Sequence, residues 1–158
     1  DDMVLQLFTS SEEAQLEQSI YQGVASNTLG TADDLDALTG QVLARYGQQP
    51  QRYPQLRSTW IGKRLMYDDP QYLVNYLYAG LLAVQLYVQD QQDPEGFRQR
   101  YLTVLGEGFD RAPQEQVAQL LGHAPDWPAL VDADLQVFAQ NAARLQALYA
   151  QIEAGQGT

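Results

Sequence analysis

Apolar positions along this chain recur at helical spacing, and short polar or proline-containing stretches separate one run from the next. Leu16, Ile20 and Val24 fall on one face, and Ser10 with Glu13 has the spacing of a capping box. That pattern predicts a first helix of about fifteen residues, stopped over 27–30. Thr31 with Asp34 predicts the next start in the same way; Leu35, Leu38, Val42 and Leu43 form its stripe and Gly47 its end. Residues 48–54 are polar and proline-broken, hence a loop, and a short helix is expected over 56–64.

The longest apolar run follows. Asp69 reads as an N-cap and Pro70 as the first helical position, where proline loses no hydrogen bond. From there the chain is apolar on nearly every side, interrupted only by Gln71, Asn75, Gln85 and Gln89. Such a helix needs cover on nearly every side, so residues 70–89 are expected to be the most buried element. Asp93-Pro94 opens another helix, with Phe97, Tyr101, Leu102 and Leu105 as its stripe and Gly106 and Gly108 as its close. Pro113 to Leu121 is a further short helix ended by Gly122. Asp126-Trp127-Pro128 opens the last, along which Val131, Leu135, Phe138, Leu145, Leu148 and Ile152 recur. The expectation is one all-α domain over 1–158, six or seven helices around a buried tyrosine-rich centre, with residues 155–158 as a frayed tail.

Composition agrees and adds limits. Strand-forming residues are sparse beside Ala, Leu and Gln, which favours helices. There is no cysteine, so neither a disulfide framework nor a thiolate metal site is available, and a cytoplasmic home is the default expectation. No signal peptide is visible; the Asp1-Asp2 start places Met3 after a tag remnant or the chain within something longer. The run from Tyr72 to Val88 is short for a membrane span and is broken by Asn75 and Gln85, so a membrane partner is not expected.

A formal net charge of −11 argues against nucleic acid, which needs a basic face to displace counterions. The charge is uneven: residues 1–36 carry only acids, whereas Arg45, Arg52, Arg57, Lys63 and Arg64 follow without an acid between them. Two readings apply, a local contact with a carboxylate or other anion, or a solvated surface paired with the acidic segment. The chain's one histidine, His123, follows Gly122 at a helix end with no acidic partner four residues on, which fits a cap or loop residue. One histidine and no thiol fall short of a catalytic zinc set, so no metal or other cofactor is expected in this chain. No nucleophile elbow or glycine-rich phosphate loop is present.

Tyr72 and Tyr76 lie four apart and share a helix face. Two phenols in line can donate to a carbonyl or oxyanion, or can be core aromatics with satisfied hydroxyls. Their setting resembles a block in the oligoendopeptidase F and thimet oligopeptidase family of zinc metallopeptidases, His-x-Phe/Tyr-x-x-Pro-Phe-Tyr-Tyr-Ile-Asp-Tyr-Ala-x-Ala. This chain has Leu65, Tyr67, Pro70, Gln71, Tyr72, Leu73, Val74, Asn75, Tyr76, Leu77 and Ala79 in those places. The flanks are similar too: the stretch from Ala14 to Gly47 resembles the family's helix pair ending in Tyr-Gly, and that from Phe97 to Gly122 its Tyr-x-x-x-Leu and Gly-x-Ser-x-x-Pro segment. The similarity runs from Phe8 to Tyr149.

The resemblance implies an all-helical C-terminal lobe that walls a peptide channel and is not catalytic alone. The His-Glu-x-x-His zinc motif would lie upstream of it, so zinc is implied only for a full-length parent. Tyr76 would donate to the tetrahedral oxyanion in an intact parent, Tyr72 would meet substrate, and Tyr67 would line the same place in a packing role. Implied partners are short peptides, and the upstream part of the same protein or a second copy docked through an apolar face. Tyrosine-rich surface around Tyr67, Tyr72 and Tyr76 would then be left uncovered. Leu65 in place of the histidine, Leu73 of a tyrosine and Asn75 of an aspartate point to a divergent or inactive relative. The alternatives are a free-standing helical binding or assembly module that kept the fold, and an unrelated helical protein.

Overall fold

A computed structural model describes the backbone over residues 2–156 and the side chains over 6–155. Among the described residues the protein is all-α, with no strand. The helices are α1 (Asp2–Ala25), α2 (Ala32–Tyr46), α3 (Gln49–Arg52), α4 (Leu65–Asp68), α5 (Val74–Gln92), α6 (Pro94–Glu107), α7 (Pro113–Leu121) and α8 (Trp127–Gln156). A 3-10 helix over Pro54–Gly62 precedes α4. The chain forms two compact units, residues 1–80 and 81–158, with α5 running through the boundary.

In the first unit, Leu16 and Ile20 of α1, Val42 of α2, Met66 of α4 and Leu73 make the core; Leu35, Leu38, Tyr46, Trp60 and Leu65 pack around it. The stripes expected on α1 and α2 therefore meet each other as read, except that Val24 is exposed. The Thr31 capping box forms: Thr31 Oγ1 accepts from the Asp34 backbone N–H, and Asp34 accepts from Thr31 N. Gly23 is required by close approach, because a Cβ there would lie 2.4 Å from Leu29 Cδ1 where the chain turns back. Asp36 ties the 3-10 helix to α2 by accepting from Trp60 Nε1 at 2.7 Å and Ser58 Oγ at 2.9 Å.

Three local expectations are corrected. Ser10 caps nothing: α1 is already helical before it, Ser10 is buried and accepts from Gln6 Nε2 at 2.9 Å, and Glu13 reaches Lys63 instead. The loop expected over 48–54 contains α3, which starts with Pro50 inside its first turn. Asp69-Pro70 does not open the central helix. Gln71 sits at φ 64, in the left-handed region, and its N–H is captured by the carboxylate of buried Glu17, so helical geometry resumes only at Val74.

The central helix is also not sealed on all sides. Gly80, Leu81 and Val84 of α5 are buried with Leu73 just before it, whereas Tyr76, Tyr78 and Tyr87 stand at least 41 % exposed. Val74, Leu77, Leu82, Leu86 and Val88 of the same helix are half-buried.

In the second unit, Asp93 caps α6 by accepting from Gly96 N, and a Cβ at Gly96 would collide with that carboxylate at 2.0 Å. The stripe expected on α6 is mostly exposed, at Tyr101, Leu102 and Leu105. Gly122 closes α7 at φ 83, the left-handed cap that favours glycine. Gln85 of α5 donates to Asp134 of α8, a carboxyl only 1 % exposed whose second oxygen has no partner. Helix α8 extends to Gln156, past Ala154, where the sequence placed its end. The remaining tail positions, 157–158, lie outside the described residues.

Candidate functional site

The turn that replaces the expected helix start shapes the most chemically varied surface of the first unit. Tyr72 lies before α5 and Tyr76 within its first turn, and their rings meet edge to face with centroids 5.4 Å apart. Hydrogen bonding to Tyr72 is the largest influence on the Tyr76 phenol and raises it above its ordinary value; the charge of Tyr72, burial and Glu13 push the same way. Both rings are more than two-fifths exposed. The two exposed tyrosines thus form one edge-to-face ring pair. Tyr67 does not join them: its hydroxyl donates to the Trp60 carbonyl at 3.2 Å, and burial raises its phenol.

Tyr76 opens onto a groove of about 640 Å³ lined by Gln6, Ser10, Glu13, Lys63, Leu65 and Leu73, among others. Leu65 and Leu73 supply an apolar floor, and Leu65 also packs on the core. The wall is polar. Lys63 Nζ pairs with Glu13 at 2.5 Å, both side chains about four-fifths buried. At that distance the two charges of the pair satisfy each other along the groove wall. Sequence reasoning missed it, since Glu13 was assigned to a cap and Lys63 to a basic run. Among the described residues, Lys63 is the member of that run that pairs with the acidic segment; Arg64 instead pairs locally with Asp68 at 3.5 Å.

Glu12 next door is raised, first by burial and also by Glu13, while Lys63 alone among the causes lowers it. Lys63→Met is therefore expected to raise the Glu12 pKa further. Carboxyl ¹³C titration of the variant checks this, and an unchanged Glu12 would mean that the ammonium is not held against this cluster.

A second groove of about 830 Å³ opens along a different face of α1, bounded by Gln15, Glu17, Tyr21, Tyr46, Gln71 and Leu77 among others. Glu17 is its fixed point. Besides Gln71 N–H it accepts from the Tyr21 hydroxyl at 2.9 Å, and that hydroxyl also reaches the Met66 carbonyl. Burial, and then Glu17, pushes the Tyr21 phenol up to about 12. Glu17 and Tyr21 are thereby committed to structure. The i, i+4 spacing of Glu17 and Tyr21 was the available signal for this contact.

The resemblance implies zinc only for a full-length parent, on a motif upstream of this chain. Among the described residues no three His, Asp or Glu side chains converge as a metal requires. His123 is exposed, with Nδ1 against the Ala124 carbonyl. No helix among them is long and apolar enough to cross a membrane. Comparison of the chain with family models, with curated proteins and with solved structures returns no match.

Proposed function

We propose that this chain is the C-terminal helical lobe of an oligoendopeptidase F-like metallopeptidase, and that the surface around Tyr72 and Tyr76 walls its peptide channel. The observation that carries the reading is the exposed Tyr72–Tyr76 pair, whose rings meet edge to face and of which Tyr76 lines the Glu13–Lys63 groove. A tyrosine-rich surface left uncovered is what a channel wall requires, and Tyr67, Tyr72 and Tyr76 are 50 %, 42 % and 41 % exposed. The order of matching residues from Leu65 to Ala79 supports the family, and short peptides are the class that family implies. The lobe contributes donors and shape to the channel, and the zinc motif that this reading calls for lies upstream of it. Leu65 lines the groove where the family has a histidine, so one donor to substrate is gone.

Two measurements test the reading. The coding sequence on the 5′ side should specify a His-Glu-x-x-His helix in the same frame; a stop codon immediately upstream of a native start would overturn the larger-peptidase part. A short peptide should bind the chain with an affinity that Tyr76→Phe lowers by roughly five- to tenfold, the value of one lost hydrogen bond to a polar group. Unchanged affinity would make the tyrosine a packing residue. A second reading, a non-catalytic assembly module, is favoured by one separate observation, the exposed half of α8.

A further inference from the structure

Two local arrangements compete before α5. Asp69 and Pro70 have the residue types of an N-cap and a first helical position, and a helix begun there would run through 70–73 into α5. The chain makes a tight turn instead. Tyr72 N–H donates to the Asp69 carbonyl at 3.0 Å, with Pro70 second in the turn and Gln71 third, at φ 64. Proline second and a positive φ third are the pattern of a type II turn, whose third position favours glycine or asparagine. Glutamine is strained in that geometry, so the turn needs support from outside it.

Glu17 of α1 supplies that support. Its carboxylate belongs to a residue only 2 % exposed and accepts from Gln71 N–H at 2.5 Å and from the Tyr21 hydroxyl at 2.9 Å. Leu16 and Ile20 on the same helix are core residues, so α1 is not free to withdraw the acceptor. In a helix begun at Pro70, the Gln71 N–H would turn to the Asp69 side chain as an N-cap bond. The buried carboxylate would then lose a charge-assisted donor, and that loss outweighs the gain of a cap at the surface.

We propose that Glu17 is a positioning residue for the tyrosine pair. By holding the Gln71 N–H it delays the start of α5 and sets Tyr72 just before the helix, where its ring meets Tyr76 edge to face. What the pair meets rests on the peptide-channel reading; how Glu17 places it does not.

The test compares three full-length chains: the parent, Glu17→Met, and Glu17→Met combined with Gln71→Gly. Methionine fills the buried space without a strong acceptor, and glycine adopts the positive φ without strain. Gln71 lines the other groove, so its side chain is not lost from the peptide site. In the parent, the Gln71 amide is expected to exchange about tenfold or more slowly than an unprotected turn amide, although the residue is exposed. In Glu17→Met the Cα chemical shifts of 70–73 should become helical and the Tyr72 and Tyr76 ring resonances should move. Peptide affinity should fall about fivefold or more in that variant. Adding Gln71→Gly should restore the turn shifts and the affinity with Glu17 still absent, a recovery that simple damage to the core would not show. An unprotected Gln71 amide in the parent, turn shifts that persist in Glu17→Met, or a double variant no better than the single one would each overturn the proposal. The exchange measurement decides the matter even where Glu17→Met does not fold. A parent that binds no peptide would overturn the channel reading alone, because residues 70–73 report on Glu17 without peptide.

Discussion

Leu16→Ala is expected to destabilise the first unit by about 2–5 kcal/mol, a large share of the 5–15 kcal/mol that holds a typical domain together. Leu16 has no exposure and stands between Ile20, Val42, Met66 and Leu73, contributed by three helices and the turn before α5. Its removal leaves a cavity that none of those elements can close alone. Helix α4 is one turn long and the 3-10 helix has no buried residue of its own, so both depend on this contact. Urea denaturation followed by tyrosine and tryptophan fluorescence measures the loss. A cost below about 1 kcal/mol would mean that the site collapses freely.

The second large effect lies in the other unit. Burial raises Asp134 from its ordinary 3.8 to about 6, and the Gln85 hydrogen bond lowers it only in part. Because the folded value lies above the unfolded one, the folded state binds the extra proton. Stability is fully present below about pH 4 and is lost as pH rises through 6. The linked free energy is at most about 3 kcal/mol, and screening by nearby water trims it. Asp134→Asn keeps an acceptor for Gln85 and removes the charge. The variant should melt several degrees higher than the parent at pH 8 and at nearly the same temperature at pH 4. Equal gains at both pH values would point to packing, and no gain at pH 8 to a carboxylate that water already reaches.

Much of the fold was legible because its signals were local. The Thr31–Asp34 box, the Asp93 cap and the left-handed Gly122 each need only a few neighbouring residues, and each appears where it was read. The errors share a cause. Ser10 and Glu13 carry a capping spacing, yet Lys63, fifty residues on, takes Glu13. Asp69 and Pro70 carry a helix start, yet Glu17 holds the Gln71 N–H and turns the chain first. In each case a partner distant in sequence outcompeted a local rule, and no periodicity announces such a partner.

The site divides along the same line. Tyr72 and Tyr76 were singled out by spacing, and the structure joins them. Tyr67 was placed with them but spends its hydroxyl on Trp60. The burial expected of residues 70–89 fails for a different reason: an apolar sequence shows that cover is favourable, not that it is supplied within these residues.

The most direct measurement is a titration of the isotopically labelled chain with a short unstructured peptide, followed by backbone and tyrosine ring resonances. The channel reading places the largest shifts at Gln6, Ser10, Glu13, Lys63, Tyr72 and Tyr76, with little change along α8. No saturable shifts up to about millimolar peptide, or shifts confined to the second unit, would contradict it.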